Sequence, residues 1–238
     1  MRTKLVLPIF LALLFVSCEV DPYEETSGKI LEVGSLSKKK LSNEFIDGQH
    51  WVEAENGTIY WDENATSQGT TKTGETYLGP NVLVGTHNRD SNLNEPINSA
   101  KFELYLESNK NGSSAEIMGN TVPSDVNKYG TLAEGLYPAN AQGRGGYIAR
   151  GREDLAILIN GGGSVPTAPG SPKDHITQIF FHAGNQHQES LYDSKGNAYS
   201  AGCQTSGCGP HSRPLHNAFM HTVGSQFEGS YYLRPSPN

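Results

Sequence analysis

His182 and Cys203 are the residues of this chain whose types and spacing best suit chemistry. His182 closes the apolar run Ile179-Phe180-Phe181, and seventeen residues separate it from the small-residue block Ser200-Ala201-Gly202-Cys203. An imidazole can take the proton of a thiol or stabilise the anion that results, and the thiolate is the nucleophile. The pair therefore predicts acyl transfer or hydrolysis at a cysteine. The competing readings are a structural histidine at a strand end and a cysteine tied by a disulfide to Cys208, four residues further on.

The order and interval of these residues resemble the L,D-transpeptidase (YkuD-type) catalytic domain. In that family a histidine precedes a Ser/Thr-His-Gly-Cys block at about this distance. His182, Ser200, Gly202 and Cys203 match, and Ala201 stands where the family has a second histidine. After the cysteine the family favours an apolar residue and then Asn or Arg, where this chain has Gln204 and Thr205. Thr131, Gly135 and Tyr137 resemble a Thr-Pro-x-Gly-x-Tyr segment of the same family. The resemblance covers roughly residues 99–234.

By that resemblance Cys203 is the nucleophile and attacks the L-centre–D-Ala amide of a peptidoglycan stem peptide. His182 generates the thiolate and protonates the leaving amine, with a backbone carbonyl orienting the imidazole. The acyl group then passes to an amine or, in a carboxypeptidase, to water. No cofactor is implied. Amides around Ala201, Gly202 and Cys203 are candidates for an oxyanion hole, and Ser200 for support of the turn. Asn185, Gln204, Thr205 and Arg213 are candidates for substrate contacts, Arg213 by bidentate binding of a carboxylate.

These residues need elements to hold them, and the pattern around them is mostly β. Ile176–His182 reads as a central strand that fixes the histidine. Before it, residues 161–172 form a Gly/Pro/Ser-rich loop, either a cleft rim or a plain connection. Lys101–Leu106 alternates Phe102, Leu104 and Leu106 against Glu103 and Tyr105, a period of two. Residues 114–119, 145–150, 154–160 and 229–234 read as further strands. Asn56-Gly57 between Trp51–Ala54 and Thr58–Trp61 signals a hairpin, and Val82–Thr86 another strand. Pro214–Val223 reads as a helix with Leu215, Ala218, Phe219 and Thr222 or Val223 on one face and Gly224 as its stop. The expected fold class is mostly β, an L,D-transpeptidase-like β-sandwich or barrel sheet with one or two short helices.

The N-terminus bears on where such chemistry would occur. Arg2 and Lys4 precede an apolar run from Leu5 to Val16, too short to span a bilayer and shaped like a secretory segment. Leu14-Phe15-Val16-Ser17-Cys18 resembles a lipobox, which implies lipidation of Cys18 as the first mature residue. Residues 1–17 are thus read as a lipoprotein signal peptide, 18–48 as a lipid-anchored tether, 49–98 as an accessory β segment and 99–238 as the catalytic domain. The expected location is the cell envelope, most simply the outer membrane, with the lipid as membrane anchor. An ordinary cleaved signal peptide is the plainer alternative.

Composition narrows the classes further. Loss of Arg2 and Lys4 with the first 17 residues takes the formal net charge from −7 to −9. A chain this acidic has no electrostatic footprint for nucleic acid. The glycine loop Gly161-Gly162-Gly163 lacks the lysine and helix of a phosphate site. Carboxylates near His182 and Cys203 are too sparse for a paired-carboxylate glycosidase. Cys203, Cys208, His211 and His216 raise zinc and a metal-dependent hydrolase, but the C-x4-C-x2-H-x4-H spacing is irregular for a structural site, so no metal is expected. The alternative of another class is a non-catalytic envelope lipoprotein that binds peptidoglycan or another glycan.

Overall fold

Alternation of apolar and polar side chains builds most of this chain, because a strand can hide one face while the other stays wet or is covered by a second layer. A computed structural model describes residues 50–64, 75–87, 100–123, 125–142, 155–184, 200, 202–206 and 212–237. Cys18, the tether over 18–48, the strand expected at 145–150, Asn185, Ala201, Cys208 and His211 lie outside the described residues.

The fold is mostly β. Its strands are β1 (His50–Glu53), β2 (Ile59–Asp62), β3 (Thr76–Gly79), β4 (Val82–His87), β5 (Ala100–Tyr105), β6 (Ala115–Asn120), β7 (Gly135–Gln142), β8 (Ala156–Ile159), β9 (Val165–Pro166), β10 (His175–Ile176), β11 (Phe180–Ala183), β12 (Gln204–Ser206) and β13 (Glu228–Pro235). One α-helix, α1 (Ser212–Val223), stands among the described residues. Eight strands close a barrel in the order β11-β12-β6-β5-β4-β13-β7-β8. The β11–β12 and β13–β4 pairs are parallel, and the other pairs of the barrel are antiparallel.

The barrel interior is filled by inward side chains from around the ring. Leu83, Phe102, Leu104, Ala139, Ile157, Ile159, Phe181, Tyr231 and Leu233 form one cluster with Phe219, Met220 and Val223 of α1. Phe181 is central to it, with ring centroids 4.8 Å from Phe102 and 5.7 Å from Phe219.

A second layer lies outside. β1 pairs with β2 and β3, and Trp51 and Leu78 pack with Val82, Val84, Tyr105 and Tyr232 on the outer face of the barrel. Glu53 ties the layers together: it is ion-paired to Arg234 and accepts from the Tyr232 hydroxyl. Arg234 also donates to the Gly57 carbonyl and to Thr86 Oγ1. Tyr105, read from the alternation as part of a solvent face, is therefore buried, with its ring 5.0 Å from Trp51. The alternation is correct, but both faces of β5 are covered.

Three further expectations change in detail. The Asn56-Gly57 hairpin forms, with bonds from Ala54 N to Thr58 O and from Gly57 N to Ala54 O. Gly57 takes φ +82°, giving a three-residue loop rather than a two-residue one. Residues 161–172, read as a loop, hold β9, which pairs with β10. Bonds from Ala168 N to Thr131 O and from Asn160 Nδ2 to Ser164 O explain why so many glycines and prolines still fold. The strand expected over 176–182 is broken at Gln178, whose φ is +56°. β10 ends before this kink, and β11 begins after it.

The helix also differs. It starts two residues earlier than Pro214, and its buried stripe is His216, Phe219, Met220 and Val223, while Leu215 is 59% exposed and Ala218 is exposed as well. The cause is His216. Its Nε2 donates to the Leu155 carbonyl at 2.7 Å, and its Nδ1 accepts from the Ser206 hydroxyl at 2.7 Å. Both ring nitrogens being satisfied, the imidazole can be buried at little cost, and the stripe rotates by one residue.

Candidate active site

β11 and β12 run side by side with His182 opposite Thr205 and Phe181 opposite Gln204. Side chains alternate across a sheet, so Phe181 and Gln204 point into the barrel while Phe180, His182, Cys203 and Thr205 share the outer face. Packing agrees, since Cys203 clusters with Phe180, Ala156 and Leu158 rather than with the interior. His182 and Cys203 are thus diagonal neighbours on adjacent parallel strands. Side chains in that relation have Cβ atoms about 7–8 Å apart, within reach of aromatic and long side chains.

Each partner is held by the backbone. His182 Nδ1 lies 2.7 Å from the Ala183 carbonyl, which can only accept, so Nδ1 carries the hydrogen and Nε2 the lone pair of the neutral ring. Ala183 O is therefore the orienting carbonyl. Cys203 is a free thiol, and its Sγ donates to the Gln178 carbonyl across 4.0 Å. That carbonyl is aimed by the left-handed backbone of Gln178, itself fixed by a bond from its amide to Gly162 O. Both reacting groups are buried, each 4% exposed.

The turn before the thiol is equally constrained. Ser200 Oγ donates to Cys203 O and accepts from Gly202 N at 3.0 Å, closing a small ring around the turn. The Gly202 amide is engaged there rather than presented to an oxyanion. Gly202 has φ +120°, and a Cβ at this position would stand 3.1 Å from Gly130 O. Only glycine meets both conditions without strain.

Gln204 is not brought to the His182 and Cys203 face. Its Oε1 accepts from the Tyr231 hydroxyl at 2.9 Å inside the barrel, and its Nε2 donates to Gly202 O at 3.4 Å. It braces the turn from behind. Thr205 does lie on the shared face, next to His182. Arg213 lies at the start of α1, and its side chain is outside the described residues. His216 is turned to Ser206 and Leu155, and among the described residues no three His, Cys, Asp or Glu side chains gather as metal ligands.

Three residues of this neighbourhood were not legible from the sequence. Gln178 aims a carbonyl at the thiol, and Tyr231 braces the turn through Gln204. Asn120 pairs with Thr205 in the register of β6 and β12. The only local signal was polarity inside apolar runs, at Gln178 before Ile179 and at Asn120 after Met118-Gly119.

No family model, no curated protein and no solved structure matches the chain. The likeness to L,D-transpeptidases therefore rests on its residues alone.

Proposed function

We propose that this protein is a cysteine acyltransferase acting on peptidoglycan stem peptides, an L,D-transpeptidase or L,D-carboxypeptidase, with an L,D-transpeptidase-like fold. The observation that carries the reading is the shared face: Cys203 and His182 stand diagonally on adjacent strands, with His182 Nδ1 anchored on Ala183 O and its basic nitrogen left for the thiol. Nε2 takes the thiol proton, and the thiolate attacks the amide carbonyl between the L-centred residue and D-Ala. The C–N bond breaks, the proton passes from His182 to the departing amine, and a thioester remains on Cys203. Lipidation at Cys18 would hold the enzyme at the envelope, beside this substrate.

The test is intact mass of the reduced full chain with and without a carbapenem, beside Cys203→Ala. A drug-sized adduct on the wild type and none on the variant supports the nucleophile. No adduct, together with no release of D-Ala from a tetrapeptide stem, refutes it. The burial of both groups favours a second reading in that case, a non-catalytic envelope lipoprotein that binds peptidoglycan or another glycan.

A further inference from the structure

The row of side chains that contains His182 continues past it. His182 stands opposite Thr205 on β12, and Thr205 stands opposite Asn120 on β6, so the three residues cross three strands on one face. Asn120 and Thr205 are fully buried, and Asn120 Oδ1 and Thr205 Oγ1 have no hydrogen-bond partner. The orientation of the Asn120 amide is not arbitrary, because its Nδ2 donates to the Val122 carbonyl at 2.6 Å. Oδ1 is thereby left as the outstanding acceptor. Dry, unpaired oxygens of this kind cost a fold free energy, and proteins keep them where a ligand supplies the missing donor.

We propose that Asn120 Oδ1 and Thr205 Oγ1 form the subsite for the amine that attacks the acyl-enzyme. The proposal rests on the acyltransferase reading above. Both oxygens accept, which fits a primary amine carrying two or three N–H donors. Their place beside His182, rather than beside Cys203, matches the step that needs a base. The amine nitrogen, held by the two oxygens, attacks the thioester carbonyl. The C–N bond forms as the C–S bond breaks, His182 Nε2 takes the proton from nitrogen, and that proton returns to the Cys203 sulfur. The ligand class is a primary amine on a stem peptide, and water is its competitor for the same acyl-enzyme.

A single substrate reads this partition. A tetrapeptide stem whose L-centred residue bears a free side-chain amine gives a cross-linked dimer by transfer and a tripeptide by hydrolysis. The full chain is compared with Thr205→Val, Asn120→Leu and Thr205→Ser, all quantified by mass spectrometry. The dimer-to-tripeptide ratio falls by about tenfold or more in Thr205→Val and Asn120→Leu, and stays within about twofold of wild type in Thr205→Ser, which keeps the hydroxyl. Because both products come from one acyl-enzyme, a variant that folds less well lowers the two together and leaves the ratio intact. An unchanged ratio in both apolar variants overturns the subsite, and so does a wild type that is acylated yet gives tripeptide alone. Absence of any acyl-enzyme on wild-type Cys203 instead overturns the underlying acyltransferase reading, and the subsite with it.

Discussion

At the scale of single residues, the thiol's position depends on a glycine that no other residue replaces cheaply. Gly202 combines a left-handed backbone with a close approach to Gly130 O. Gly202→Ala is expected to lower stability by about 1–3 kcal/mol, measured by thermal unfolding. It is expected also to slow acylation at Cys203, since the strain falls on the residue before the sulfur. Ser200→Ala, which loses both bonds of the turn but no backbone freedom, makes the comparison. The histidine, cysteine, serine and glycine were legible in the sequence because their spacing follows from the chain's own geometry. Gln178, Tyr231 and Asn120 were not, because each reaches the site through a strand pairing or a backbone kink between segments distant in sequence.

At the scale of elements, α1 shows how one satisfied polar side chain can rotate a whole helix face. Hydropathy places Leu215 inward and His216 outward, and the hydrogen bonds of His216 reverse this. Leu215→Lys is accordingly expected to change stability by less than about 0.5 kcal/mol. Met220→Ala, which empties space in the barrel, should cost about 2–5 kcal/mol. Urea denaturation of the two variants checks the assignment, and the reverse ranking would restore the face drawn from hydropathy alone. The strands show the opposite balance. β4, β5 and β13 were readable from alternation, since inward Phe102, Leu104, Tyr231 and Leu233 are spaced by two. What alternation cannot carry is partnership: nothing local in β4 indicates that its neighbours are β5 and the final strand.

At the scale of the whole molecule, buried phenols make the fold sensitive to alkali. Burial, and then a hydrogen bond to Glu75, raises Tyr60 from 10.0 to about 12. Burial likewise pushes Tyr137, Tyr231 and Tyr232 upward, the last with help from Glu53. An unfolded tyrosine loses its proton near pH 10, while these folded ones keep theirs. Above that point the unfolded chain binds fewer protons, so stability falls as pH rises. The urea midpoint is expected to drop between about pH 8 and about pH 11, and equal midpoints would contradict the burial of these phenols. The closing seam of the barrel carries a different consequence. β13 lies between β4 and β7, so the ring stays open until the last residues to be synthesised are in place. A growing chain therefore cannot finish its barrel while the ribosome still holds its end, and for a protein that must be threaded unfolded through a membrane pore, such delay keeps the cargo transport-competent.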